Sequence, residues 1–433
     1  MDKVSDVSIP KILLDKADEI AKALQPYNSQ LSVMFRQCFL NTIQTTVKQL
    51  PDNSYFVITG DIPAMWLRDS TAQIRPYIAF ASQDRQLDSI ITGIIDKQLD
   101  CTLIDCYANA FNYEPKGFAY RDRTWEHPMV WERKYEVDSL CNVIELMYSY
   151  YKETGNTRIF TQKSLLCMKN IYNLFRLEQN HKNSNYTFVR ESASVPYDTL
   201  SNNGFGNMIG YTGLTWSGFR PSDDACTYNY LIPSNMMAVV ALKHAKEILI
   251  YVYKDNDLAN DFEKLADEIQ NGIEVFGIIH HEKYKEIYAY EVDGLGNHLL
   301  MDDANSPSLL SAPYFGYCSI NDPIYQNTRR FILSHDNPYY YTGKYASGIG
   351  SPHTPQGYIW HIALIMQALT SNSENEIKMC LEMILATDAD TGFMHESFSP
   401  NNPKDYTRSW FAWANTLFAE LILKLYNQHF FKL

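Results

Sequence analysis

Eleven segments of helical periodicity, separated by long irregular loops, constrain the fold of this chain more than any other sequence feature. In each of them apolar residues recur at the spacing of one helical face. The segments are residues 10–24, 28–49, 85–108, 134–154, 158–175, 230–252, 256–275, 320–334, 356–371, 374–387 and 407–428. Strand signals are fewer: they cover 54–60 and a hairpin at 286–301, where Gly294 and Gly296 mark the turn.

The connecting segments favour a closed helical array over an open solenoid. Residues 112–128, 190–223 and 336–357 are rich in Gly and Pro, and the chain shows neither a short fixed repeat nor a low-complexity linker. Long ordered loops in a compact domain are usually functional, and a solenoid does not need them. We therefore predict an all-α fold, a single (α/α)6 barrel over residues 1–433, with long active-site loops and a minor β-hairpin.

The composition indicates which kinds of molecule the protein binds. The net charge of −13 argues against nucleic acid and anionic membrane surfaces, which require basic patches. The 31 Tyr and 7 Trp residues suit a site that stacks on and hydrogen-bonds a neutral polyhydroxy ligand, although core packing explains most single aromatic residues. Neither a secretory signal nor an apolar run of membrane-spanning length is visible, so we expect a cytoplasmic protein.

Cofactor and metal motifs are also missing from the sequence. The eight cysteines show no zinc spacing and lie mostly in apolar segments, as buried thiols do. Phosphate-binding glycine loops and the nucleophile elbow of serine hydrolases are absent. We therefore expect no metal and no cofactor. The acid pairs 223–224 and 302–303 leave a calcium site as an alternative, but they lack the alternating spacing of a calcium loop.

The motif "TGDIPAMWLRDSTAQ" at 59–73 places charged residues just before a predicted helix. Ser70 and Gln73 have the spacing of a capping box. Arg68 and Asp69 can then face a cavity and bond the vicinal hydroxyls of a ligand. The alternative is that Asp69 caps the helix and Arg68 pairs with a nearby acid.

Two further motifs contain clusters of acidic residues. In "WERKYEVDSLC", 131–141, a solvated helical face explains most of the charge, and Asp138, between Val137 and Ser139-Leu140, is expected to point inward. In "PSDDA", 221–225, Ser222 is a good helix N-cap with Asp223 and Asp224 in the first turn. A helix terminus lowers a carboxyl pKa, whereas a general acid needs a raised one.

Three later loops supply the remaining candidates. "MDDANSPS" contains Asp303 and Asn305 before a helix expected at Ser306-Pro307. "GIGSPHT" contains His353 in a Gly/Pro loop. "MHESF" pairs His395 with Glu396, a possible base, before Arg408 at the start of the last helix. Carboxylates, His, Arg and aromatic residues in loops above helices are typical of glycoside hydrolysis, which uses two carboxyl groups.

Six motifs in order, "TGDIPAMWLRDS", "WERKYEVDSLC", "GFRPSDDA", "MDDANSPSLL", "GIGSPHT" and "MHESF…TRSWFAWAN", resemble glycoside hydrolase family 125. The resemblance covers residues 59–415. It implies an (α/α)6 barrel and a metal-independent, inverting exo-α-1,6-mannosidase that acts on an α-mannoside oligosaccharide. Ser409 departs from the family pattern, in which Pro is expected.

The resemblance also implies roles for individual residues. Asp223 is the general acid and Glu396 is the general base. The walls of the pocket for the terminal mannose, with two aromatic platforms among them, are Arg68, Asp69, Asp303, Asn305, His353, His395, Arg408, Trp66 and Trp216. Burial among aromatic residues and the charge of Glu396 would have to raise the pKa of Asp223. Residue chemistry alone leaves Asp223 and Asp224 as alternatives for the acid.

Other classes of function stay open at this point. One is another inverting (α/α)6 glycosidase, either a calcium-dependent α-mannosidase or an enzyme that cleaves glucans or glucuronides. The other is a sugar-binding barrel without catalysis, which predicts that one of the two catalytic acids is missing. The sequence does not determine the oligomeric state.

Overall fold

The computed structural model describes residues 4–431, and most of this part of the chain is helical. The twelve α-helices of two turns or more are Lys11–Leu24, Ser29–Thr45, Leu67–Ile74, Arg85–Ile104, Val137–Thr154, Gln162–Glu178, Ile232–Ile248, Asn256–Gly272, Pro323–Ile332, His361–Leu369, Glu374–Ala386 and Ala412–Asn427. A 3-10 helix, Arg75–Gln83, continues the third of them. All eleven predicted helical segments contain a helix, and the predicted helix after Asp69 begins slightly earlier, at Leu67.

Five of these helices form an inner layer. Their N-terminal halves are buried without interruption, as in residues 137–147, 232–242 and 412–419. Leu67–Ile74 packs between Val137–Thr154 and Ala412–Asn427, which in turn contacts His361–Leu369, and Ile232–Ile248 packs on Val137–Thr154. A helix that is buried on all sides belongs to the interior of a protein.

Amphipathic helices cover this inner layer. In Asn256–Gly272 the buried residues Ala259, Phe262, Ala266 and Ile269 follow the spacing of one helical face, and they pack on Ile232–Ile248. Glu374–Ala386 covers His361–Leu369 in the same way. One contiguous hydrophobic core runs from Leu13 to Leu425.

In the described part of the chain, short strands form seven small sheets, so the single minor hairpin of the sequence prediction was an underestimate. Grouped by sheet, they are Ser5–Asp6, Val47–Gln49 and Tyr55–Val57; Met65–Trp66, Ala110–Phe111 and Val130–Glu132; Asp122–Arg123 and Val189–Arg190; Tyr230–Leu231, Glu291–Val292 and His298–Leu299; Ile278–His281 and Lys285–Tyr288; Tyr340–Thr342 and Ser347–Ile349; Ile359–Trp360, Ser397–Ser399 and Asn402–Tyr406. All pairings are antiparallel.

Three of these strands hold the N-terminal ends of inner helices in position. Met65–Trp66, Tyr230–Leu231 and Ile359–Trp360 each lead directly into an inner helix. Phe411, just before the last helix, forms a bridge with Gly60. The N-terminal ends of the inner helices are therefore held in place by strand pairing, and side chains near these ends have defined positions.

Three local predictions were wrong. Ser70 is not a helix cap, because it is the fourth residue of Leu67–Ile74 and its hydroxyl donates to the Leu67 carbonyl at 3.1 Å. No helix follows Ser222, since residues 219–225 form a tight turn closed by a Phe219–Ala225 bridge. Bends and turns, not an α-helix, follow Ser306-Pro307.

Between residues 4 and 431 we found no helix with both the length and the apolar character needed to cross a membrane. The cytoplasmic location stays a prediction from the sequence.

Candidate active site

A cavity of about 480 Å³ opens at the N-terminal ends of the inner helices. Its size lies in the range of small-molecule sites. Helix N-termini and the loops predicted to be functional supply its walls, including residues 194–198 and 221–224. Of the predicted site residues, the cavity is lined by Trp66, Arg68, Asp69, Asp223, Asn305, His353, Glu396 and Arg408.

Asp223 lies at the tip of the 219–225 turn. Its backbone is left-handed, with φ of 66°, a conformation that Asp tolerates better than most residues. Its amide donates to the Arg220 carbonyl at 2.9 Å, and its own carbonyl accepts from Lys134 Nζ at 2.7 Å. The turn thus presents the Asp223 carboxylate to the cavity, where Oδ1 accepts from Trp66 Nε1 at 3.3 Å.

Buried acids surround Arg68 directly behind Asp223. The Arg68 guanidinium contacts Glu136 at 2.6 Å and Asp138 at 3.1 Å, with Asp69 at 3.7 Å and Asp223 at 3.8 Å. Burial alone would raise the pKa of Asp223, but Arg68, a hydrogen bond from Glu136 and the Lys134 charge lower it to about 2. Burial, partly offset by Arg68, raises the pKa of Asp69 to about 6. The pKa of Asp223 is therefore lowered while the pKa of Asp69 is raised.

Glu396 lies in a different environment. It precedes the strand Ser397–Ser399, and its carboxylate accepts from Thr407 Oγ1 at 2.9 Å and Arg408 Nη1 at 3.4 Å. Arg408 also has a left-handed backbone, with φ of 45°, and donates through Nε to both oxygens of Asp61 at 3.0 and 3.1 Å. Asp61 therefore fixes the guanidinium that contacts Glu396.

His353 and Asp224 form an ion pair on a third wall. Asp224 Oδ1 and His353 Nδ1 are 2.9 Å apart. Burial disfavours the charged imidazole, but the hydrogen bond and charge of Asp224 outweigh it and raise the pKa of His353 to about 9. At neutral pH this wall presents an imidazolium, and Asp224 serves as its partner.

Three buried polar atoms in the cavity wall have no hydrogen-bond partner within the protein: Arg68 Nε, Asp224 Oδ2 and Asn305 Nδ2. Buried polar groups are normally hydrogen-bonded, and one left unpaired costs about 1–3 kcal/mol. Two donors and one acceptor at one cavity match the mixed donor and acceptor character of sugar hydroxyls.

Aromatic rings complete the cavity. Besides Trp66, the lining includes Trp360, Phe411 and Trp413, which the sequence reasoning missed. Arg68 lies 5.9 Å from the centre of the Trp413 ring and Arg408 lies 4.5 Å from that of Phe411. Apolar ring faces beside charged groups suit a ligand with both C–H and O–H surfaces.

Three predicted wall residues do not reach the cavity. Trp216 is fully buried and stacks on His181 with ring centres 3.6 Å apart, so it is not a sugar platform. Asp303 is buried and accepts from Ser222 Oγ at 2.9 Å, which holds the Asp223 turn from behind. His395 is fully buried and stacks on Tyr406, next to the segment that carries Glu396.

The charged run at 132–138 was misread as a solvated face. Glu132, Lys134, Glu136 and Asp138 are all buried, and Asn109 joins them. The predicted inward position of Asp138 is confirmed. Glu136 also has apolar neighbours, Tyr135 and Val137, but the partner that pairs with it when buried, Arg68, is distant in the sequence.

Comparison with known proteins then defines the relationship. The family model described as metal-independent alpha-mannosidase, GH125, matches residues 28–423. The chain belongs to this family. It is therefore a glycoside hydrolase of the α-mannosidase type, and the resemblance seen in the six motifs is confirmed.

Relatives of this α-mannosidase extend over nearly its whole length. A solved Streptococcus pneumoniae metal-independent α-mannosidase, in a non-productive complex with α-1,6-mannobiose, is 48% identical with a TM-score of 0.94 and covers 98% of this chain and 99% of its own. The "Meiotically up-regulated gene 157 protein" of Schizosaccharomyces pombe is 41% identical over 422 residues, 92% of this chain and 82% of that protein.

More distant similarity concerns the fold alone. A bacterial glucoamylase complexed with acarbose has a TM-score of 0.62 at 11% identity, covering 96% of this chain and 58% of that one. The Saccharomycopsis fibuligera glucoamylase has a TM-score of 0.55 at 11% identity, covering 98% and 97%. The α-mannosidase thus shares a mostly helical architecture with glycosidases of the (α/α)6 type.

The two acid pairs do not form a shared ligand set. Asp302 accepts from the backbone amides of Leu309 and Leu310, and Asp303 faces Ser222. Within residues 4–431, no three His, Cys, Asp or Glu side chains are grouped so that they could hold a metal ion.

Proposed function

We propose that this α-mannosidase is an inverting exo-α-1,6-mannosidase that removes the non-reducing terminal mannose of oligomannosides, with Asp223 as general acid and Glu396 as general base. The observation that carries this assignment is that both carboxyls line one cavity. The two carboxyls share no hydrogen-bond partner: Asp223 accepts from Trp66 and Asn109, and Glu396 accepts from Thr407 and Arg408. Different surroundings allow the two groups to hold different protonation states.

The α-1,6 linkage rests on similarity. The Streptococcus pneumoniae relative was solved with α-1,6-mannobiose, and at 48% identity the two chains align over almost their full lengths. The polar side chains of Arg68, Asp224 and Asn305, which line the cavity, are the groups that we assign to mannose hydroxyls.

In the proposed reaction Asp223 protonates the glycosidic oxygen and the C1–O bond breaks. Glu396 removes a proton from a water molecule that attacks C1 from the opposite face, so the configuration inverts. Trp66 and Arg68 orient Asp223, while Thr407 and Arg408 orient Glu396.

The architecture supports exo action. We infer that the inner and outer helices close into one (α/α)6 toroid over the whole chain, with the cavity at one end of the inner layer. The closed end of such a cavity would admit only a terminal residue, and the loops at 190–223 and 336–357 would complete its rim.

One experiment tests linkage, substrate and stereochemistry together. The α-mannosidase is mixed with α-1,6-mannobiose, and the anomer released first is identified by NMR before mutarotation. We expect β-mannose; α-mannose would overturn inversion, and no release beside rapid cleavage of other linkages would overturn the specificity.

Two variants test the residue roles. Asp223→Asn should lower turnover of α-1,6-mannobiose by about 10²–10⁴-fold, the usual contribution of acid–base catalysis. Glu396→Ala should be as inactive but regain turnover with azide, which needs no base and gives β-mannosyl azide. Full activity of Asp223→Asn would remove Asp223 from the role, and Asp224→Asn, which alters a binding contact but not the proposed acid, should lower turnover less.

A further inference from the structure

A fully buried amide, Asn109, lies among three carboxyl groups behind the cavity. Its Nδ2 is 3.0 Å from Glu132 Oε2, 3.1 Å from Asp223 Oδ1 and 3.3 Å from Glu136 Oε1. Its Oδ1 accepts from the Lys134 amide at 3.1 Å, which fixes the orientation of the amide group.

This amide cannot satisfy all three carboxylates. An Asn NH₂ group has two hydrogens, and ionised carboxylates only accept. The other oxygen of Glu136 is already occupied by Arg68 at 2.6 Å and Ser139 Oγ at 2.8 Å. Glu136 Oε1 and Asp223 Oδ1 both lie within 3.3 Å of the Asn109 nitrogen, and the two hydrogens on it are too few for all three carboxylates unless one of these carboxyls bears a proton.

The balance of charges around Arg68 also indicates that one of these carboxyls keeps a proton. Arg68 is the cation nearest to Glu136, and it is shared with Asp138, Asp69 and Asp223, all within 3.8 Å of its nitrogens. Glu136 has no exposed side-chain surface. Carboxylates this close together in a desolvated site do not all ionise, and one keeps its proton.

We propose that Glu136 is a positioning residue that shares one proton with Asp223 and so supplies the acid form needed for glycosidic cleavage. The proposal rests on the assignment of Asp223 as general acid. Before cleavage the proton is on Glu136 and bonds the Asp223 carboxylate. During cleavage it moves to Asp223 as Asp223 protonates the leaving oxygen.

Atoms and charges balance over the step. The single proton passes from Glu136 to Asp223 and from Asp223 to the leaving oxygen as the C1–O bond breaks with its electron pair on that oxygen, so both carboxyls end ionised. Water adds to C1 and gives its proton to Glu396. Release of that proton to solvent and uptake of one by the Glu136–Asp223 pair restore the enzyme.

The pKa shifts agree with this placement. Burial raises the pKa of Glu136 well above its usual range, Arg68 opposes this, and the charge of Asp223 adds to it. The pair titrates as a unit. The charged and titratable groups around it on every packed element are Arg68, Asp69, Glu132, Lys134, Asp138, Asp198, Arg190, Asp224, His353, Glu396 and Arg408.

The test compares two substrates in Glu136→Gln. Gln keeps the size and the contact with Asn109 but carries no proton to share. We expect kcat/KM for α-1,6-mannobiose at pH 7 to fall about 100-fold or more. We expect α-mannosyl fluoride, whose leaving group needs no proton, to keep its rate within about tenfold. The alkaline limb of the mannobiose profile should move to lower pH by about one unit or more.

Asp138→Asn is the matched control, because it removes another carboxylate from Arg68 without touching Asp223. It should affect both substrates equally and, because the charge of Asp138 also raises the pKa of Glu136, should move the alkaline limb by less than Glu136→Gln does. Should Glu136→Gln not fold, Asn109→Ala removes the donor shared by the two carboxyls and should move the limb to higher pH.

The outcomes separate the two hypotheses. If Asp223→Asn keeps its activity on mannobiose, the proposed function fails. If Asp223→Asn is inactive but Glu136→Gln loses both substrates equally, or keeps the wild-type alkaline limb, the proton-sharing role of Glu136 is refuted while the assignment of Asp223 stands.

Discussion

Replacing His361 with Asn should remove a pH-dependent part of the stability of this α-mannosidase. His361 is fully buried at the start of an inner helix. Its Nδ1 accepts from the His395 amide at 3.0 Å, and its Nε2 lies 3.2 Å from Thr387 Oγ1. His361 therefore holds the backbone next to Glu396.

The magnitude follows from the pKa of His361. Burial and the nearby His395 lower this pKa from 6.5 to about 3. A neutral imidazole is needed in the folded state, so the unfolded chain binds the extra proton as pH falls below 6.5. The stability contribution is complete above pH 6.5 and is lost toward pH 3, at about 1.4 kcal/mol per pH unit. Between pH 6.5 and 5 this amounts to about 2 kcal/mol.

The variant keeps the acceptor but cannot titrate. Asn places an oxygen near the position of Nδ1 and loses the ring that packs at a tilt against Phe398, whose centre is 4.5 Å away. We expect it to be less stable than the wild type by about 1–3 kcal/mol at pH 7. Because only the wild type titrates at this position, the difference should shrink below pH 6.5 and approach zero near pH 5.

Urea unfolding of both proteins at half-unit steps from pH 4.5 to 7.5 measures the difference curve. Taking the difference cancels the titration of the other groups. The exposed His298→Asn serves as a control that should leave the curve of the wild type unchanged. A constant difference over this range would show that His361 does not stay neutral in the folded protein, and would refute the reasoning.

Three further outcomes are expected. Asp61→Asn should lower kcat about tenfold, because Arg408 loses the ion pair that fixes it against Glu396; an unchanged kcat in steady-state assays would contradict this. Trp216→Ala should destabilise the fold by about 3–5 kcal/mol through loss of the buried ring against His181, while KM at low temperature changes little; a large rise in KM would return Trp216 to the sugar site. Treatment with EDTA should leave the mannosidase rate unchanged, as its family implies, and loss of activity restored by calcium would contradict it.

Periodicity was sufficient to locate the helices, because their apolar faces are local signals. It was not sufficient for the sheets: strands of two or three residues, such as Met65–Trp66, have no measurable alternation, and their pairing is set by distant partners such as Ala110–Phe111. The Ser-Asp-Asp sequence at 222–224 has the local pattern of a helix cap, but the backbone of residue 218 bonds Tyr135, and this nonlocal contact sets the turn.

The sequence predicted which side chains line the cavity only where the motif was specific for the family. The residues carried over from "WLRDS" all line the cavity, whereas Trp216 and Asp303 lie one layer behind it. A tryptophan can stack on a sugar or fill the core, and composition does not distinguish the two uses. For Glu136 the same ambiguity led to the opposite error: it was assigned to the surface, but it is buried beside Arg68, which belongs to a different helix.

The acids around Arg68 explain how Asp223 can act as a general acid although its neighbours lower its pKa. A general acid must be protonated near neutral pH, yet Asp223 lies beside Arg68 and Lys134, which favour its ionised form. More carboxyl groups than cations surround the Arg68 guanidinium, so the cluster retains one proton. In the proposed resting state that proton is on Glu136 and not on Asp223. Glu396 has the opposite arrangement, with a hydroxyl and a guanidinium that both donate to a carboxylate. The acid and the base can therefore hold opposite protonation states in one cavity because one has acids for neighbours and the other has donors.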